Sequence, residues 1–161
     1  MSQTDFYSEV LPNHHVRALI IASVLEGSAP EHSSTSDSRT ELDSHANMFV
    51  GGCGTTVIAT SGRFANVRGY SPDLPALDVP IADLAFLYED IVTGRKFIMI
   101  AHNALHVPSM DHNLVPPFMM REAGIEVNEC AKIHAKDPTT SDHSIYFNHC
   151  DLRIPLSLWG I

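Results

Sequence analysis

Basic side chains are scarce in this chain. Ten Lys and Arg stand against 19 Asp and Glu, a formal charge of −9. Neutralising a nucleic-acid backbone needs clustered Lys and Arg, so direct nucleic-acid binding is not expected. Cysteine is sparse too: Cys53, Cys130 and Cys150 are odd in number and lack the paired spacing of a zinc site or a disulfide scaffold. They read as thiols in a reducing compartment. No basic leader precedes a long apolar run, and the best such stretch, ALIIASVL at 18–25, is too short to cross a bilayer. A soluble chain with no membrane partner is expected. Gly-x-Ser-x-Gly and phosphate-loop motifs are also missing. The glycine-rich VGGCGTT at 50–56 lacks the Lys-(Ser/Thr) ending and reads as a sharp turn between strands. Cys53 within it becomes a reactive thiol only if a histidine approaches it in space.

What is present suits one domain with a real core: 161 residues, 44% of them hydrophobic. Residues 1–26 form an N-terminal segment in which Val16, Leu19, Ile20 and Val24 fit helical spacing, while the β-branched ALIIASV favours an extended chain. Residues 27–38, Ser-rich with Gly, Pro, Thr and Asp and almost nothing to bury, have the composition of a flexible linker. A domain over 39–135 follows. Its signals are short strands: TELD, TTVIAT, FANVRGY, DVPIADLAFL, KFIMIA and ALHVP. A tight hairpin turn is predicted through Thr93-Gly94, and a longer, proline-stiffened loop over YSPDLPAL at 70–77. Pro116 and Pro117 are tolerable in a first helical turn and Gly124 suits a left-handed helix end, which predicts one short helix between them. Residues 136–161 form a C-terminal extension, and its apolar end, IPLSLWGI, reads as a cut in a longer polypeptide.

Chemistry concentrates in ELDSHANMFV at 41–50, where a strand runs into a turn with the carboxylate of Asp43 at its tip. Leu42, Asp43, Ser44 and Ala46 match the Asp-(Ser/Thr)-Gly-Ala signature of retropepsin-like aspartic proteases, with His45 in place of the glycine. A second stretch, at 103–127, carries Leu105-His106-Val107-Pro108, then Asn113-Leu114-Val115, then Gly124. That order and spacing are similar to the segment closing the protease region of copia-type retrotransposon Gag-Pol polyproteins. Together the two stretches resemble such a protease over roughly residues 39–135.

The resemblance implies a mainly β fold, a retropepsin-like closed barrel with one short C-terminal helix. It also implies a homodimer, because one chain carries a single aspartate motif and this chemistry needs two carboxylates sharing one proton. Asp43 would be the catalytic aspartate, acting on water with no cofactor, and the substrate would be the chain's own polyprotein. Ser44 would lock the paired loops across the two-fold axis, and Ala46 would leave room for their approach. Gly69, Tyr70, Ser71, Pro72, Asp73, Leu74 and Pro75 would form a flap over bound peptide. The implied setting is intracellular, cytoplasmic or within virus-like particles. His45 replaces a glycine that lets substrate backbone come close, so a catalytically inactive dimerisation or peptide-binding module of the same fold is the alternative.

A weaker alternative, a histidine-rich metal-binding protein, comes from the ten histidines, of which His102, His106 and His112 lie near Asp111 in the sequence. On strands, residues four apart share a face but stand too far apart for a compact zinc site. Phe118, Met119 and Met120 read as core packing of the short helix.

Overall fold

The computed structural model describes residues 20–23, 39–68, 73, 75–90, 92–130, 134, 136–137 and 139–157. The linker at 27–38 and most of the N-terminal segment lie outside them. Ten strands and one short α-helix are described: β1 (Ile20–Ser23), β2 (Arg39–Leu42), β3 (Val50–Gly51), β4 (Thr56–Val67), β5 (Leu77–Glu89), β6 (Lys96–His106), β7 (His112–Val115), α1 (Pro117–Glu122), β8 (Glu126–Glu129), β9 (His143–Phe147) and β10 (Leu152–Pro155). The protein is mainly β.

Seven strands make one sheet, ordered β2-β7-β3-β6-β5-β4, with β1 pairing with β6. The closed barrel implied by the resemblance is not found among the described strands. The sheet ends at β2 and β4, and β4 is exposed along nearly its whole length. A second sheet, β10-β9-β8, takes two of its three strands from the C-terminal extension after residue 136.

Alternation builds the core. On β6, Phe97, Met99 and Ala101 point inward while Lys96 and Ile98 stay exposed, the period-2 pattern of a strand covered on one face. Phe97 and Met99 join Leu84, Phe49 and Val115 from the large sheet with Val127, Ile145, Phe147 and Leu152 from the small one. One apolar cluster therefore spans both sheets. A smaller cluster, Val79, Ile81 and Leu105, lies apart from it and is packed by Met48, Val50, Ala65, Val67 and Val107.

Several strands predicted separately are continuous. Most of TTVIAT and of FANVRGY falls in β4 (Thr56–Val67), which passes through Gly62 at φ 70°, and β6 runs from KFIMIA into ALH through Asn103 at φ 53°. Each positive φ marks a bulge that adds residues to one strand without ending it. The predicted hairpin turn joins β5 to β6, with Gly94 at φ 69° and the Asp90 carboxylate accepting from the Val92 N–H and the Thr93 hydroxyl. Helix α1 starts at Pro117, and Gly124 beyond its end takes φ 79°.

Phe147 is fully buried in the shared cluster. Phe147→Ala is therefore expected to lower unfolding free energy by about 3–5 kcal/mol, measured by urea denaturation. A loss below about 1 kcal/mol would mean that β9 does not belong to this core.

Candidate functional site

The Asp43 turn is shaped by an unusual threading of strands. β2 runs parallel to β7, pairing Leu42 with Val115, whereas β3 runs antiparallel to the same strand on its other side, pairing Val50 with Leu114. Residues 43–49 must therefore cross the end of β7 to connect β2 with β3. The Asp43 N–H donates to the Val115 carbonyl at 3.0 Å, which continues the parallel ladder one residue into the turn. Two neighbouring side chains anchor the far end of the crossing. Met48 packs on the small cluster, and Phe49 enters the main core, stacked on Phe86 with centroids 5.6 Å apart.

Asn113, at the centre of β7, is fully buried. Its Oδ1 accepts the Gly52 N–H at 2.8 Å and its Nδ2 donates to Thr40 Oγ1 at 3.1 Å, so one amide ties β2 and the turn after β3 to the strand between them. Gly52 leaves space for this approach. A Cβ there would stand 2.4 Å from the His112 carbonyl oxygen and 2.6 Å from that of Met110. The turn closes on itself through Thr55, whose N–H and hydroxyl both donate to the Gly52 carbonyl.

The Asp43 side chain is about one-third accessible, at 31%. Its Oδ1 accepts the His45 N–H at 2.9 Å, a local turn bond of the kind Asp favours. The His45 ring is 76% exposed, with Nδ1 3.9 Å from Asp43 Oδ1 and 3.4 Å from the Ser44 hydroxyl. The Ala46 N–H donates back to the Asp43 carbonyl at 3.3 Å. Asp43, Ser44, His45 and Ala46 are thus together in one solvent-facing turn. Of the predicted flap residues, Asp73 and Pro75 are exposed, while Gly69, Tyr70, Ser71, Pro72 and Leu74 lie outside the described residues.

The histidine-rich span does not gather into one site. His102 Nδ1 is 2.8 Å from the carboxylate of Asp83, and His112 Nδ1 is 2.5 Å from that of Asp111. His106 lies on β6 opposite Gly51. Among the described residues, no three His, Cys, Asp or Glu side chains form a metal-holding group. Cys53, Cys130 and Cys150 are not joined by disulfides.

Three polar residues matter here that the sequence reading gave no role. Asn113 lay inside the second motif, where an amide opening the apolar run Leu114-Val115 was a usable sign. Asp83 and Asp90 gave none, since each depends on a bulge or turn formed by other residues. Burial opposes ionisation of Asp83, yet the Asn103 N–H and the His102 ring together hold its carboxyl below the usual carboxylate range. Asp90 is likewise lowered, by the Thr93 hydroxyl first and the Val92 N–H second.

Comparisons with protein-family models, curated proteins and solved structures give no match.

Two outcomes follow from this geometry. Asn113→Ala leaves the Gly52 N–H buried without a partner, so unfolding free energy should fall by about 1–3 kcal/mol in chemical denaturation; an unchanged midpoint would remove Asn113 as the tie. Depressed carboxylates stabilise the fold above their unfolded pKa of about 3.9, and that stability is lost as pH falls through the lower folded value. The melting temperature should therefore hold from neutral pH to about 5 and drop below about 4, with a shallower drop in the double variant Asp83→Asn, Asp90→Asn. An equally steep drop in that variant would assign the acid sensitivity to other groups.

Proposed function

We propose that this chain is a retropepsin-like aspartic endopeptidase that processes a copia-type retrotransposon polyprotein, in the cytoplasm or within virus-like particles. Two copies pair so that each contributes one Asp43. Like charges at contact cannot both ionise, so the pair shares one proton. The ionised carboxylate takes a proton from water, which attacks the scissile carbonyl, while the protonated partner donates to the carbonyl oxygen. The titration belongs to the pair rather than to either residue. No cofactor enters the reaction.

The observation that carries this reading is the meeting of the two motifs. Leu42, which leads into Asp43, and Asn113-Leu114-Val115 are far apart in the chain, yet they lie on adjacent parallel strands, and the Asp43 N–H bonds to the Val115 carbonyl. Their contact supports treating the two stretches as one site. The long hairpin supports the flap. Beyond the pair of Ile81 with Leu105, β5 residues 77–80 pair with β4 residues 64–67 and have no partner on β6. This two-stranded ribbon shares the small apolar cluster with Met48 of the Asp43 turn.

A second reading is favoured by His45. The position that the signature gives to glycine carries an imidazole, and its backbone N–H occupies one oxygen of Asp43. In that case the chain is an inactive dimerisation or peptide-binding module of the same fold.

Cleavage is the decisive measurement. A fusion that extends the chain with further polypeptide is expected to process itself at mildly acidic pH, and Asp43→Asn should slow the cutting by about 10³-fold or more. Unchanged cutting in that variant removes Asp43 from the mechanism. If the unmodified chain does not cut while His45→Gly does, the inactive module is the correct reading.

A further inference from the structure

We propose that the N-terminal stretch DFYSEVL, residues 5–11, docks on an uncovered apolar patch of the large sheet centred on Leu87 and Ile98. The inference concerns the N-terminal segment and holds whether or not Asp43 cleaves peptides.

The register places the patch. On β5, Leu84, Phe86 and Tyr88 pack in the main core, and they pair with Ala101, Met99 and Phe97 of β6. The alternate residues therefore occupy the opposite face. There Leu87 pairs with Ile98, and Ala85 with Ile100. Farther along the same face, Ile81 and Leu105 are buried and packed by Met48 and Val50. Leu87 and Ile98 have no such cover. They are 52% and 36% exposed, and among the described residues they join neither apolar cluster. Ion pairs bound the patch along the strands. Glu89 Oε2 lies 3.7 Å from Lys96 Nζ at one end, and Asp83 Oδ2 lies 2.8 Å from His102 Nδ1 at the other. An apolar surface with a polar rim is the form that docking sites take.

Connectivity, composition and size select the occupant. On the side of β6 away from β5, β1 pairs Ile20 with Ile100 and Ala22 with Ile98. Residues 1–19 are thus tethered in register with the patch, at its margin. Phe6, Tyr7, Val10 and Leu11 recur at the spacing of one helical face, and Pro12 closes the run. The connector from Pro12 to Leu19 can extend over about 26 Å. Neighbouring strands are about 4.8 Å apart, so it reaches every part of the patch. A second copy is a poorer fit. Stable association of separate proteins buries about 800 Å² on each partner, far more than two exposed side chains and their half-buried neighbours offer. Each copy also carries a charge of −9, which opposes pairing. A tethered segment needs less area, because a short linker holds its local concentration on the order of millimolar.

Hydroxyl-radical footprinting of the full chain, resolved to single residues by tandem mass spectrometry, tests the docking. Leu87 and Ile98 are expected to oxidise about threefold to tenfold faster in the double variant Phe6→Ser, Leu11→Ser than in the unmodified chain, while Phe118 on α1 keeps its rate. Equal rates in the two proteins would overturn the proposal. Protection that disappears on dilution would overturn it as well, by assigning the patch to a second copy. Deuterium exchange reads the same contact from its other side. In Leu87→Asp, amides of residues 5–11 are expected to exchange about threefold to tenfold faster, and unchanged exchange there would count against the docking whatever the first variant does.

Discussion

Strand β7 is four residues long, and the arrangement around Asp43 depends on its being threaded between β2 and β3. A strand in that position has both edges occupied, so its backbone polar groups find partners without water. It also separates two strands that are neighbours in sequence, which forces residues 43–49 to arch over its end. The buried amide of Asn113 makes the threading specific, because an apolar residue of similar size would leave the Gly52 N–H without an acceptor. Such a group is costly when unpaired and modest in value when paired, so its main effect is to exclude other registers.

The two apolar clusters divide the labour. The larger, built from both sheets, supplies the burial that holds the fold, whereas the smaller joins the base of the projecting ribbon to Met48 in the Asp43 turn. They alternate along β5, where Val79 and Ile81 belong to the smaller and Ala82 and Leu84 to the larger, so one strand serves both through its two faces. Apolar contacts resist opening through the area they remove from water, so the larger cluster contributes more to stability than the smaller.

Much of the local structure was legible in the sequence. Alternation marked β5 and β6, Thr93-Gly94 marked their hairpin, and the Pro116-Pro117 to Gly124 frame marked α1, because each signal acts within a few residues of itself. The bulges were less readable. Gly62 and the 102–103 step looked like strand ends, since an inserted residue breaks alternation as a turn does, and the partner strand alone shows whether the ladder resumes. β7 was missed for a related reason. His112–Val115 is too short to show a period, and it is a strand because β2 and β3 flank it.

The order of polar and apolar residues by itself determined a β-rich chain, the turn that carries Asp43 and the short helix. These are properties of neighbouring residues, set by backbone sterics and by which side chains prefer water. Tertiary structure alone decided that Leu42 lies beside Val115, that Asn113 bridges two strands, and that residues after 136 share a core with the large sheet. Parallel pairing and cross-sheet packing join segments whose separation along the chain leaves no local trace. Their free energy resides in contacts that exist once both partners are in place.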